Sequence, residues 1–298
     1  MKTLLYATDC TPTTSAALKY AHRLSRVLNA NLHILHVYDL QPFTTANVRS
    51  RGILEKNYFL DQLDVLKKYC KNQLKNELGA VDADFHAVKS TNISKAILKT
   101  AEEINADLVM VGVKSTKSLR GFFTGNIAEN LMDKLKSPLL ILPDDYHLHD
   151  ISTVLYATDF EPTDVFALKR VAKLVESYGA LIKVFHIPLK TEVNVDEKME
   201  VFKEEVLKRI DYPEIIFSIE YADDVESGIH NSIKEEIPEM LVMMEREQPS
   251  FFDRLFCKDT VETIEGKISI PLLVFNKESI VDMFARDSND TLKEQTIN

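Results

Sequence analysis

Hydrophobic and polar positions alternate along the chain in a strand–helix order that occurs twice. Short apolar runs, typical of buried parallel strands, are separated by segments whose apolar residues recur at helical spacing. In the first half these runs predict strands at 3–8, 31–38, 82–88, 108–112 and 138–142. In the second half they predict strands near 152–158, 181–187, 214–219, 239–244 and 271–275. Because each step between parallel strands needs a helical crossover, the order predicts a doubly wound α/β fold with a five-stranded parallel sheet in each half.

Two copies of one short sequence show that the halves are related. Leu5–Asp9 reads Leu-Tyr-Ala-Thr-Asp and recurs 150 residues later as Leu155–Asp159, with Pro-Thr after both copies. The duplication predicts one domain at 1–143 and a second at 151–276, followed by a polar C-terminal tail at 277–298. In open α/β sheets ligands bind at the carboxyl ends of the strands, so the aspartate that ends each copy is a candidate site residue.

The composition limits the class of protein. The chain is 45% hydrophobic and 28% charged, which is usual for a soluble globular protein. Its net charge of −10 argues against a nucleic-acid partner and against binding to an anionic membrane surface. Three cysteines without a CxxC pair argue against a disulfide framework. Since the sequence shows no signal-peptide pattern and no apolar run near the ~20 residues that span a bilayer, we expect a cytoplasmic protein.

Several features together resemble the universal stress protein family. They are the two strands that end in Thr-Asp, the strand ends His36-Val37 and His186-Ile187, and the segments Ala106–Gly112 and Ser137–Ile141. In these features the chain is similar to a tandem universal stress protein of the UspA family, with two such domains in one chain. The resemblance implies two Rossmann-like, adenine nucleotide alpha hydrolase-like three-layer sandwiches. It also implies a pseudo-dimer in which the halves pair through their fifth strands.

The same resemblance implies a nucleotide site in the first half. Gly112 and Gly125 match the first and third glycines of the family's signature, Ser115 replaces the second glycine, and Asn126 replaces the hydroxyl residue. Glycines let backbone N–H groups approach phosphate oxygens, and the N-terminus of the following helix favours anions. Because two of the four positions depart from the signature, we expect weak binding.

Two further residues are carried over from the family on matched positions. Asp9 would lie beside the adenine and ribose, and Val37 would offer backbone atoms to the base. The implied ligand is ATP or AMP, with magnesium only as the companion of a bound nucleotide.

The second half lacks this phosphate cradle. Matching the two halves by their fourth strands places Glu245, Gln248, Lys258 and Asp259 at the signature positions, and no glycine remains. A carboxylate at the first position would repel phosphate. We therefore expect no nucleotide in the second half, although Asp159 is present there.

For several of these residues a structural role is the alternative to a binding role. Asp9 and Asp159 are also suited to capping the turn or helix that follows each strand. Asn126, with a glutamate three residues later, fits a capping box. His36 and His186 recur at equivalent strand ends without further metal ligands nearby, which favours a structural hydrogen bond over metal binding.

Three functions follow from this sequence. The leading hypothesis is a universal stress response protein whose first half binds ATP or another adenine nucleotide weakly, as a regulatory signal to an unknown protein partner. The alternative is a scaffold that binds no nucleotide and acts through protein–protein contacts. The third is a slow ATPase with Asp9 as metal ligand or base, but the chain has no GxSxG, HExxH or GxxxxGK[ST] motif, which argues against an enzyme. Assembly of whole chains into a homodimer stays open.

Overall fold

The structure is a computed structural model. It describes residues 1–39, 48–75, 82–113, 125–143, 146, 150–245, 270–276 and 279–280. The chain divides into two compact units, of which the first is Met1–Leu131 with Ile141–Leu148 and the second is Met132–Leu140 with His149–Asn298. Among the helices of the described residues, none is both long enough and apolar enough to cross a membrane.

Nine helices and strands alternate in the first half, within the described residues. The strands are β1 (Thr3–Thr8), β2 (Asn31–Tyr38), β3 (Asp84–Lys89), β4 (Leu108–Val113) and β5 (Leu139–Pro143). The helices are α1 (Ser15–Val27), α2 (Val48–Gln73), α3 (Ile93–Glu103) and α4 (Gly125–Lys134). A short 3-10 helix, Pro12–Thr14, leads into α1. The strand order is β3-β2-β1-β4-β5, and the pairs β1–β2, β1–β4 and β2–β3 are parallel.

The described residues of the second half repeat this plan. The strands are β6 (Thr153–Ala157), β7 (Leu181–His186), β8 (Ile215–Ile219), β9 (Met240–Met244) and β10 (Leu272–Phe275). The helices are α5 (Pro162–Val175), α6 (Val195–Arg209) and α7 (Val225–Glu236). The strand order is β10-β9-β6-β7-β8, and each neighbouring pair is parallel. The predicted α/β fold class is thereby confirmed, whereas pairing of the halves through their fifth strands stays a prediction.

The start of the central strand of each half is held by a carboxylate that is distant in the sequence and lies just before the neighbouring strand. Asp107 Oδ2, just before β4, accepts the backbone N–H of Lys2 at 2.6 Å and that of Thr3 at 3.0 Å. Glu239 Oε2, just before β9, accepts the N–H of Thr153 at 2.8 Å in the same way. Asp107 and Glu239 therefore occupy equivalent positions in the two halves.

This equivalence corrects one prediction by a single residue. Tyr6 of β1 pairs with Met110 of β4, and Tyr156 of β6 pairs with Val242 of β9. Counting onward from these pairs places Met244, not Glu245, at the position of Gly112. The match by sequence was wrong because an apolar strand followed by a polar residue fits either of two neighbouring alignments, and only the backbone pairing distinguishes them.

Candidate functional site

The candidate site lies where the winding of the first sheet reverses. The chain runs from β1 outward to β2 and β3, and then crosses back to place β4 on the other side of β1. Ligands of open α/β sheets bind beyond the carboxyl ends of the strands at this reversal. Thr8 pairs with His36, and Ala7 pairs with Val111. Asp9, Val37 and Gly112 each follow a residue of these pairs, so the structure brings all three to one edge of the sheet.

Asp9 is held by the turn that follows β1. Its Oδ1 atom accepts the backbone N–H of Thr11 at 3.0 Å and the Thr11 hydroxyl at 2.7 Å. The Thr14 hydroxyl lies 3.3 Å from the same oxygen. Asp9 therefore caps the turn, as considered from the sequence, and these bonds hold its carboxylate at the carboxyl end of β1.

Thr14 lies at the centre of a buried cluster of hydroxyl groups. Its Oγ1 atom lies 3.1 Å from Thr8 Oγ1 and 2.9 Å from Tyr69 Oη, and it donates to the carbonyl of Thr11 at 2.9 Å. Tyr6 donates its hydroxyl to the Thr14 carbonyl at 3.0 Å. Burial raises the pKa of Tyr69 to about 12 and that of Tyr6 well above its usual value, so both phenols are neutral donors at pH 7.

The second strand contributes Val37 and His36. Val37 is 3% exposed, so its side chain is not available to a ligand, and the contact of its backbone with a base stays a prediction. His36 is also buried, and its Nδ1 atom donates to the Thr8 carbonyl at 3.1 Å while its Nε2 atom lies 3.3 Å from Gln62 Oε1. The structural role predicted for His36 is confirmed by these bonds.

The glycines of the signature have different surroundings. A Cβ atom at Gly112 would lie 3.1 Å from Ala17 Cβ, so the absence of a side chain lets α1 pack closely against the end of β4. Gly125 begins α4, where backbone N–H groups are without helical acceptors. Ser115 and the side chain of Asn126 lie outside the described residues.

Cys10 follows Asp9 in a left-handed backbone conformation with φ of 59°, and Phe160 has the same conformation in the second half with φ of 64°. Burial raises the pKa of the Cys10 thiol to about 12, and the Cys70 thiol and Asp9 act in the same direction. The thiol is therefore protonated at neutral pH and is a poor nucleophile, in agreement with a packing role.

The equivalent turn of the second half is built around a carboxylate. Asp164 occupies the position of Thr14, is 2% exposed, and accepts the Tyr156 hydroxyl at 2.8 Å and the Thr158 hydroxyl at 2.7 Å. Its Oδ2 atom also accepts the backbone N–H of Glu161 at 3.1 Å, which is the counterpart of the Thr11 N–H. Burial raises the pKa of the Asp164 carboxyl, although these hydrogen bonds oppose the shift.

His186 repeats the structural bond of His36 but meets a charged partner. Its Nδ1 atom donates to the Thr158 carbonyl at 2.7 Å, and its Nε2 atom lies 3.0 Å from Glu192 Oε2. Lys198 donates to Glu192 Oε1 at 2.9 Å, and Asp159 Oδ1 lies 3.7 Å from His186 Nδ1. Phe160 packs on the imidazole with a ring separation of 4.2 Å. Among the described residues, no group of three or more His, Cys, Asp and Glu side chains has the arrangement of a metal site.

Of the remaining second-half positions, Gln248, Lys258 and Asp259 lie outside the described residues. Glu245 follows β9, where burial raises the pKa of its carboxyl to about 7. Met244 provides a side chain where the first half has Gly112. The described part of the second half therefore lacks the glycine at the end of its fourth strand.

Thr14 and Asp164 are the site residues that sequence reasoning missed. Pro-Thr-Thr in the first copy aligns with Pro-Thr-Asp in the second, so the exchange of a neutral residue for an acidic one is visible in the repeat. This exchange does not by itself indicate a site, because an acidic residue in the first turn of a helix is common and usually explained by the helix dipole.

Comparison with known proteins identifies the relatives of the chain. Residues 1–143 match the model of the universal stress protein family. A universal stress protein of Methanocaldococcus jannaschii is 24% identical over 152 residues, which are 47% of this chain and 94% of that protein. The crystal structure of a universal stress protein from Archaeoglobus fulgidus covers 92% of this chain and 96% of its own, with a TM-score of 0.60 and 16% identity. A functionally unknown protein from Pseudomonas aeruginosa has a TM-score of 0.56, with 12% identity and 96% of this chain covered. At these identities the two structures show a shared fold.

Proposed function

We propose that the protein is a regulatory nucleotide-binding protein with one working site. Its first half matches the universal stress protein family over residues 1–143, and its second half repeats the fold. The site takes an adenine nucleotide, ATP or AMP, at the carboxyl ends of β1, β2 and β4. Binding serves as a signal to a protein partner and is not followed by turnover.

One observation carries this proposal: Asp9 and Gly112 flank the reversal of the first sheet. The backbone of β1 is paired with that of β4, so the carboxylate and the glycine lie on adjacent strand ends. Gly125, at the start of α4, adds the N-terminus of a helix to the same half. A carboxylate suits the hydroxyl groups of a ribose, and a glycine with a helix N-terminus suits phosphate.

The second half supports the assignment by contrast. It carries Met244 in place of Gly112, and a buried carboxylate, Asp164, beneath Asp159. Both changes oppose an anionic ligand, because one adds a side chain at the phosphate edge and the other adds negative charge. We therefore assign the second half a structural role.

Isothermal titration of ATP and of AMP, each with magnesium, into protein freed of small molecules tests the proposal. We expect one site per chain. Gly125→Glu places a carboxylate at the helix N-terminus and should raise the ATP Kd by about tenfold or more. Gly52→Glu is the matched control, because a Cβ at this exposed glycine of α2 meets no atom within 4 Å.

The titration also separates the proposal from its alternative. If neither nucleotide binds at millimolar concentration, the nucleotide assignment fails and the chain is a scaffold that acts through protein contacts, which Ser115 in place of a glycine favours. If both glutamate variants lose binding equally, the site is wrongly placed.

A further inference from the structure

The equivalent backbone N–H of the turn donates to a different aspartate in each half. In the first half the N–H of Thr11 donates to Asp9 Oδ1 at 3.0 Å. In the second half the N–H of Glu161, at the equivalent position, donates to Asp164 Oδ2 at 3.1 Å. Asp9 and Asp159 come from identical sequence, so their own side chains do not explain the difference.

The residue three positions after that amide does explain it. Thr14 has no carboxylate and therefore does not compete for the Thr11 N–H. Its hydroxyl, which donates to the Thr11 carbonyl, lies 3.3 Å from Asp9 Oδ1. Asp164 instead reaches back to accept the Glu161 N–H and completes a capping box with Glu161. With its amide donor taken, Asp159 has Oδ1 3.7 Å from His186 Nδ1.

Charge reinforces the exchange. Asp164 is 2% exposed, and its Oδ2 atom also lies 3.3 Å from the backbone nitrogen of Asp159. Like charges repel, so the buried Asp164 carboxylate disfavours the approach of the more exposed Asp159 carboxylate to the same N–H. A buried acid at this position therefore displaces the aspartate at the strand end, whereas a threonine retains it.

From these contacts we infer that Thr14 is a positioning residue that selects the first half for nucleotide. It acts through Asp9, by leaving the Thr11 N–H to that carboxylate. The residue at this position thus decides which copy of the repeat presents its aspartate to a ligand. The identity of the ligand in this inference rests on the proposed nucleotide function. The rule that positions the aspartate does not depend on that function.

Substitutions at Thr14 test the ligand part of the inference by ATP titration. Thr14→Asp should raise the ATP Kd by about tenfold or more, and Thr14→Ser, which keeps the hydroxyl, should stay within about threefold of the wild type. Ala16→Asp is the matched control, because it adds the same charge in the first turn of α1, at a partly exposed side chain that has no polar atom. In ¹H–¹⁵N spectra the Thr11 amide signal should move in Thr14→Asp and not in Thr14→Ser.

The reciprocal variant tests the positioning rule without any nucleotide. In Asp164→Thr the Glu161 N–H should pass to Asp159, which shifts the Glu161 amide signal and removes the carboxylate from the His186 ring. This variant also serves if Thr14→Asp does not fold.

The outcomes are distinct. If the wild type binds ATP and Thr14→Asp binds it equally well, the inference is overturned and the proposed function stands. If the wild type binds no nucleotide, the proposed function fails, and the selection of nucleotide by Thr14 fails with it. Asp164→Thr then decides the positioning rule alone, which is overturned if the signals of Glu161 and His186 are unchanged.

Discussion

Each half of this chain has a histidine near the end of its second strand, and the two histidines have different neighbours. His36 and His186 donate Nδ1–H to the carbonyl of the equivalent threonine, Thr8 at the end of β1 and Thr158 directly after β6. On the other side of the ring, His36 meets the neutral amide of Gln62, and His186 meets the carboxylate of Glu192. The bond to the backbone is present in both halves, whereas the partner on the other side of the ring differs in charge.

The same contrast recurs between the second strand, the third strand and the third helix of each half. In the first half His33 Nδ1 lies 2.9 Å from His86 Nε2, with the two rings stacked. In the second half Lys183, at the position of His33, forms ion pairs of 2.7 Å with both Glu220 and Glu236. One fold therefore accommodates a neutral contact in one copy and a charged one in the other, so the halves should respond differently to substitution and to pH.

The largest expected difference concerns the turn after the first strand. Asp164→Ala should destabilise the second unit by about 3 kcal/mol, because it leaves buried donors at Tyr156, Thr158 and Glu161 without their acceptor. Thr14→Ala should cost about 1 kcal/mol in the first unit, since Asp9 still caps the Thr11 N–H. Urea unfolding with hydrogen exchange resolved by segment measures both, and equal losses would contradict the comparison.

The next largest effect on stability concerns the packing of Gly228 against Ile187. A Cβ at Gly228 would lie 2.6 Å from Ile187 Cδ1 and 2.9 Å from its Cγ1. Gly228→Ala should therefore destabilise the second unit by about 2 kcal/mol, because more than the tip of Ile187 must move. The equivalent residues of the first half are Ala96 and Val37. A smaller side chain at position 187 should therefore compensate for an added Cβ at position 228.

Ile187→Val combined with Gly228→Ala recreates that pair and should restore most of the lost stability in a double-mutant cycle. Gly52→Ala is the control for a helical glycine at which an added Cβ meets no atom within 4 Å, and it should be neutral or stabilising by up to about 1 kcal/mol. An additive double variant would show that the two positions do not form one packing unit.

Helix caps should show no difference between the halves. Asn92 Oδ1 accepts the Lys95 N–H at 2.8 Å, and Asp224 Oδ1 accepts the Ser227 N–H at 2.8 Å. Asn92→Ala and Asp224→Ala should each cost about 1 kcal/mol in their own unit. Hydrogen exchange at the start of α3 and α7 provides the measurement. A large inequality would mean that the contrast between the halves extends to these caps, although both use an Oδ1 acceptor at the same distance.

The smallest effect depends on pH. Burial lowers the pKa of His86, and the neighbouring His33 lowers it further, although Asp84 and Glu103 act in the opposite direction. As pH falls through about 6.5 the unfolded chain binds this proton more readily than the folded chain, so the first unit loses stability. Because both rings are partly exposed to water, we expect a loss below about 1 kcal/mol.

Hydrogen exchange of β2 and β3 between pH 7.5 and 5 measures this loss. His86→Gln should remove the pH dependence from these strands. The segment that contains Lys183 is the internal control, because its lysine stays charged over this range. Equal slopes for the two halves would contradict the role of the histidine pair.

Much of the architecture could be predicted from the sequence, because it depends on short-range patterns. The apolar runs located the strands of both halves. The structural bonds of His36 and His186 followed from their repeated position and the lack of further ligands.

What could not be predicted depends on register or on side-chain geometry. Glu245 was matched to Gly112 because apolar patterns do not fix which backbone residues pair, and pairing made Met244 the counterpart. The exchange of Thr14 for Asp164 is visible in the repeat, but the sequence does not show that the Asp164 carboxylate reaches the N–H of Glu161 in place of Asp159.

The carboxylate of Asp107 that fixes the start of β1 also has a consequence for synthesis of the chain. Of the strands of this sheet β1 is made first, and the acceptor for the Lys2 and Thr3 N–H groups is made more than a hundred residues later. The first half therefore completes its sheet only when the segment at Asp107 has emerged, and until then β1 has one open edge. Slower synthesis of the segment between β3 and β4 would lengthen the time for which that edge is open to another chain.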